Sequence, residues 1–263
     1  MMKIASTKKI LIVLACLGAM WPLMHASASV VLKNTRVIYP ANNDAHTIEF
    51  TNTDPHPNIV QLWIDAGDEQ STPKTADAPF VIMPPIFKVN ANTSQSARLM
   101  YTGEPLAQDK ESIFFLNFLV IPPNIDNGNR QNKLAIVLRN RVKVFYRPDT
   151  IIGTPSAAVS GLKATPRYHE NGALASITLT NNAGYFVNLS YTAITVDNQR
   201  YTSEAVMIAP RSKAVVDYTA ADVSSAPADA REKQSELHYV AINDYGAQVS
   251  GTIPLSTRSH HEN

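Results

Sequence analysis

Arg139, Arg141 and Lys143 stand at every second position in the run Lys133 to Pro148, KLAIVLRNRVKVFYRP, and Leu134, Ile136 and Leu138 precede them at the same spacing. In an extended strand that period puts the three aliphatics on one face. Upstream, Glu111 to Pro123 reads ESIFFLNFLVIPP, a second apolar strand that stops at a double proline. The chemistry open to two such strands is association: apolar teeth, a cationic end and strand backbone offered to another protein at a sheet edge. Periodicity alone leaves a second reading open, in which the aliphatics face the protein's own core. Strand cations, likewise, are commonly solvated.

Groups that make or break bonds are scarce. Of seven histidines, His25 falls within the first 28 residues and His260 and His261 in a polar tail. His46, His56, His169 and His238 are scattered, without ligand-like spacing. No Gly-x-Ser-x-Gly elbow, phosphate loop or cysteine nucleophile is present. Asp54-Pro55-His56-Pro57 reads as a turn, and Asn188-Leu189-Ser190 as a glycan-acceptor pattern. The expectation is a protein that is not an enzyme and needs no cofactor, metal or nucleotide.

Residues 1–28 read as a signal peptide: Lys3, Lys8 and Lys9, then an apolar run from Ile10 to Met20, then Ala26-Ser27-Ala28 as a cleavage site. The run is short for a membrane span and is broken by Trp21-Pro22. Cleavage after Ala28 would remove three lysines and no acid, taking the formal net charge from +1 to −2. That balance carries no nucleic-acid footprint. The single cysteine, Cys16, would leave with the leader, so an exported chain would have no disulfide and would rely on its core.

Helix signals are almost absent. Short runs rich in β-branched and aromatic residues recur between turn-forming clusters: Val30 to Tyr39, His46 to Asn52, Asn58 to Ile64, Ser96 to Tyr101, Ile113 to Ile121 and Leu134 to Tyr146. After Pro148 the pattern restarts with Ala173 to Thr180, Phe186 to Val196, Ala205 to Ile208, Ala214 to Tyr218, Leu237 to Ile242 and Gln248 to Pro254. The fold expected is all-β, two immunoglobulin-like sandwiches, 29–149 and 150–263, hinged at Arg147-Pro148-Asp149-Thr150. Ala220 to Gln234, polar and Ala-rich, reads as a long loop or a short helical turn, and no internal repeat is evident.

ESIFFLNFLVIPP together with VKVFYRP resembles the signature pair of the periplasmic chaperones of the chaperone–usher pilus pathway. Gln61-Leu62-Trp63-Ile64-Asp65 and Met83-Pro84-Pro85-Ile86-Phe87 are similar to first-domain runs of that family. Val206-Met207-Ile208-Ala209-Pro210-Arg211-Ser212 and Ile242-Asn243-Asp244-Tyr245-Gly246 resemble second-domain motifs. Departures are Phe118-Leu119-Val120 and Lys88-Val89-Asn90-Ala91, where the family has more polar runs. About nine residues separate Pro123 from Lys133, and no cysteine pair lies there, so the chain resembles the subtype with a short F–G loop.

The resemblance implies two domains set at an angle, boomerang-like, in the periplasm. It implies as partners pilus (fimbrial) subunits and an outer-membrane usher. Leu134, Ile136 and Leu138 would enter the open groove of a subunit by β-augmentation, a mode for which chaperone–pilin pairs are a standard illustration. Arg36 and Lys143 would hold the subunit's C-terminal carboxylate by charge-assisted hydrogen bonds. Glu111, Arg147 and Asp244 would form interdomain ion pairs, with Arg98 a candidate addition and Arg139 and Arg141 left as solvated cations. Met83-Pro84 is a candidate cis bond. The competing expectation is an exported Ig-like structural or adhesive surface module that lends no strand.

Overall fold

The computed structural model describes residues 29–123, 137–170, 174–196, 199–220 and 236–255. The leader, Leu134, Ile136 and 221–235 therefore lie outside the described residues. Two β-sandwiches follow one another along the chain.

In the first, β1 (Val30–Leu32), β3 (His46–Asn52), β7 (Ser94–Tyr101) and β5 (Phe80–Met83) form one sheet in the order β1-β3-β7-β5. The facing sheet runs β2-β9-β8-β4-β6, from β2 (Arg36–Pro40), β9 (Leu138–Arg147), β8 (Ser112–Ile121), β4 (Asn58–Asp65) and β6 (Ile86–Val89). Alternation decides which side chains meet between the sheets. From β8 come Phe114, Leu116, Phe118 and Val120, and from β4 Val60, Leu62 and Ile64, against Ile48, Phe50, Ala97 and Leu99 of the other sheet. Two residues of the Phe118-Leu119-Val120 departure are thus core residues.

Val30 to Tyr39 is two strands rather than one. The chain bends at Lys33 to Thr35 because β1 pairs with β3 in one sheet whereas β2 pairs with β9 in the other. β5 and β6 escaped the periodicity reading because they are four residues each and are separated only by Pro84-Pro85; the Met83-Pro84 bond is cis.

The second sandwich packs β10 (Lys163–Tyr168), β11 (Leu174–Asn181) and β15 (Ser212–Asp217) against a sheet of β12 (Val187–Val196), β13 (Gln199–Ser203), β14 (Val206–Ile208), β16 (Thr219–Ala220), β17 (Glu236–Ile242) and β18 (Gln248–Pro254). β10 carries Pro166 and sits at a sheet edge, where a missing donor is tolerated. Between the sandwiches a six-residue helix, α1 (Pro155–Ser160), starts at Thr154, whose hydroxyl accepts from the Ala157 N–H at 3.2 Å. Thr-Pro is an N-terminal helix signal.

The two sandwiches share one device. Buried Asn52, at the end of β3, donates to the carbonyls of His56, Val89 and Asn90 and accepts from the Asp54 N–H. Buried Asn181, at the end of β11, donates to Tyr185, Ile208 and Ala209 and accepts from the Ala183 N–H. Each amide closes the turn after its strand and ties it to β6 or β14. We expect Asn52→Ala to lower the unfolding free energy in urea by about 1–3 kcal/mol, the cost of leaving buried acceptors without donors. Thr53→Ala, at the exposed neighbouring position, should change it by less than about 0.5 kcal/mol.

Candidate functional site

β9 has two different flanks. On one side it pairs along its length with β8, from Val120↔Leu138 to Ser112↔Tyr146. On the other, β2 runs parallel to it and covers only Lys143 to Arg147. Leu138–Val142 therefore presents an open backbone edge among the described residues. The expected edge strand is an edge over half of its length and interior over the rest. Leu138 is 56% exposed, so it is not spent in the protein's own core.

Where the cover begins, Arg36 of β2 stands directly opposite Lys143 of β9. Both reach to the second sandwich: Arg36 Nη1 donates to the Ile242 carbonyl and Lys143 Nζ to Asn188 Oδ1, each at 3.1 Å. Arg36 Nε is buried and makes no hydrogen bond. Burial pulls the Lys143 ammonium below the usual lysine range, and the Arg36 charge beside it adds to the shift. Arg36 is likewise lowered by burial, with Asp244 opposing. Two half-buried like charges side by side favour an anion between them. The adjoining cleft, about 220 Å³, is lined by Arg36, Phe145, Phe186, Asn188 and Ile242 among others.

Arg147 ends β9 and joins two acidic partners, one from each sandwich. Its Nε donates to Glu111 Oε1 at 2.6 Å, and Nη1 and Nη2 fork onto Asp244 Oδ2 and Oδ1 at 2.7 and 3.0 Å. Glu111 Oε2 accepts from the Phe186 N–H at 2.7 Å. Burial pulls the Arg147 guanidinium down, but Asp244 and Glu111 outweigh it and raise it above its ordinary value. Backbones approach closely beside this cluster. A Cβ on Gly184 would lie 2.8 Å from the Asp109 carbonyl oxygen, while the Glu111 N–H donates to the Gly184 carbonyl. Arg211 adds a solvent-exposed pair with Asp109 at 2.8 Å.

Arg98 takes no part in the ion pairs of Arg147: it is exposed on β7, in register with Thr47 and Met83. Arg141 is not a solvated cation, and Arg139, although exposed, is tied down as well. Arg141 is bound to buried Asp65 at 2.6 Å, and Arg139 donates twice to buried Asn117, at 3.0 and 2.7 Å. The sequence marked Asn188 only as a sequon residue and Asp65 only within a motif. Asn117 sits inside an apolar run with nothing polar beside it to signal a role.

With fold and site in place, the chain can be set beside known proteins. Residues 29–152 match the pili and flagellar-assembly chaperone, PapD N-terminal domain, and residues 158–253 the pili assembly chaperone PapD, C-terminal domain. The chain belongs to the pilus-assembly chaperone family, and its function is that of a chaperone in fimbrial assembly. It is 32% identical over 231 residues to the probable fimbrial chaperone YadV of Escherichia coli K12, covering 87% of this chain and 90% of that one. It is 35% identical over 232 residues to the chaperone HifB of Haemophilus influenzae, covering 86% and 88%. The crystal structure of YadV is similar with a TM-score of 0.69, covering 87% of this chain and 100% of the other. That of the Pseudomonas aeruginosa CupB2 chaperone, 26% identical, also scores 0.69, covering 86% and 100%.

Because the Glu111 side chain is 2% exposed, removing its counter-ion strands a charge. Arg147→Ala should cost about 3–5 kcal/mol of unfolding free energy in urea. Asp244→Asn, at a partly exposed carboxylate, should cost about 1 kcal/mol or less.

Proposed function

We propose that this chain works in the periplasm, where it captures pilus subunits by lending them the open half of β9. The observation that carries this reading is the junction on β9, where the open edge ending at Val142 meets Arg36 and Lys143 side by side. A subunit that lacks its last strand exposes an apolar groove, and such a groove aggregates unless filled. A β9 edge supplies main-chain hydrogen bonds, and Leu138, with Leu134 and Ile136 beyond it, supplies side chains. Each buried aliphatic contributes roughly 1.5–3 kcal/mol before the cost of association.

Arg36 and Lys143 anchor the subunit's terminal carboxylate. The unused Arg36 Nε–H is a donor suited to it. Anchoring at Lys143 sets register along β9, where a slip of one residue would turn every tooth to the wrong face. Glu111, Arg147 and Asp244 hold the two sandwiches, 29–149 and 150–263, at the angle that keeps the anchor beside Asn188 and Ile242. The loaded chaperone passes its subunit to an outer-membrane usher. No bond is made or broken, so no cofactor, metal or nucleotide is called for, and nucleic acid is no partner.

Co-expression with a fimbrial subunit, followed by affinity capture from the periplasm, tests this. Arg36→Ala and Lys143→Ala should each weaken capture by about 2–3 kcal/mol, roughly 30- to 150-fold in Kd, with unfolding midpoints preserved. Leu138→Asp should abolish it, and undiminished subunit recovery with that variant would refute strand lending. A bound carboxylate raises the Lys143 pKa from its depressed free value. Affinity should therefore be level below the free pKa and fall as pH climbs from there towards the pKa in the complex. Lys143→Ala should flatten that alkaline limb in a titration followed by calorimetry.

A further inference from the structure

Further along β9 from the anchor lies a second buried charge cluster, which capture as described does not use. Asp65, fully buried at the end of β4, accepts four donors: Arg141 Nη2 at 2.6 Å, Asn117 Nδ2 at 2.6 Å, the Gly67 N–H at 2.8 Å and Ser71 Oγ at 3.0 Å. Burial alone would push this carboxyl up, yet the four donors together outweigh it and hold it below the usual carboxylate range. Ser71 Oγ in turn accepts the Trp63 indole N–H at 3.1 Å. Asn117 Oδ1 takes both Arg139 bonds, and the Arg139 guanidinium lies 5.1 Å from the centre of the Trp63 ring. The Arg141 guanidinium covers the Phe115 ring at 3.8 Å.

These contacts cross three strands. Asp65 and Trp63 belong to β4, Asn117 and Phe115 to β8, and the two arginines to the open half of β9. In register, Asp65 faces Phe115, and Asn117 faces both Trp63 and Arg141. An edge strand with one ladder instead of two frays readily, since each residue is fixed by fewer bonds. Leu138 to Val142 lacks the β2 ladder, and this is the stretch the two arginines span.

We propose that Asp65, Asn117, Arg139 and Arg141 are positioning residues that hold the open half of β9 in one register, preformed for the chain it pairs with. The proposal rests on the strand-lending reading. A slip of one residue against β8 would send both arginines to the opposite face. Asp65 would then remain buried without its cation, a state costly enough to exclude that register. Order imposed before encounter is order the complex need not create, so the brace favours association.

Hydrogen exchange on the full chain, without any partner, is the test. Asp65→Asn and Arg141→Met should speed exchange of the Leu138–Val142 amides bonded to β8 by at least tenfold, with the second sandwich unchanged. Arg141→Lys, which keeps the charge and loses the fork, should fall between. Arg139→Gln, acting from the exposed end of the brace, should raise exchange at the same amides even if Asp65→Asn folds poorly. Unchanged exchange at those amides, or equal acceleration throughout β2, β4 and β8, would overturn the proposal. The readout needs no subunit: normal capture by Leu138→Asp would end the strand-lending reading and leave the exchange result standing by itself.

Discussion

The molecule turns on a mismatch of strand lengths. β2 has five residues and β9 has ten, and the two run parallel from Arg36↔Lys143 onwards. One half of β9 is therefore an interior strand, fixed on both flanks, and the other half is an edge. Edges are usually blunted, since an unpaired row of N–H and C=O groups recruits other chains. Here an edge continues directly from a strand rigidly held in a sheet, and the point of change is marked by a pair of cations. Position, chemistry and rigidity coincide on one segment.

Charge in this protein is placed where it fixes geometry. Arg147 binds Glu111 and Asp244, one from each sandwich, and Arg141 binds Asp65 beneath the open edge. Buried pairs of this kind give little net stability, because desolvation offsets the attraction. They are strongly directional, however, and a fork onto a carboxylate tolerates few orientations. One cluster bridges the two sandwiches and the other bridges three strands.

Much of this was legible in the sequence, for identifiable reasons. His46 to Asn52 came out with its observed bounds because it alternates cleanly between turn formers, and Gln248 to Pro254 did so because turn formers and a proline bound it. The break in Val30 to Tyr39 was not legible, since a strand that changes sheets keeps its two-residue period on either side of the bend. Arg36 stands opposite Lys143, and Arg147 joins Glu111 to Asp244, although no spacing in the chain brings positions 36 and 143 into register. Arg139 and Arg141 show the limit from the other direction. Their partners come from positions 65 and 117, on two other strands, and an apolar run around Asn117 hides the amide that bonds both Asp65 and Arg139. Leu134 and Ile136 lie outside the described residues and stay as the sequence left them.

The hydrogen bonds that Arg36 and Lys143 already make to Ile242 and Asn188 bear on how the proposed grip would let go. On the proposed reading, a guest oxygen arriving there would take the place of acceptors the protein itself provides at Arg36 Nη1 and Lys143 Nζ, and would meet an unused donor only at Arg36 Nε. The net strength of the clasp is then a difference between two comparable sets of bonds. When the guest leaves, the original acceptors are waiting within reach, and neither cation is stranded. A latch that closes on itself once emptied can be opened by competition alone, with no fuel.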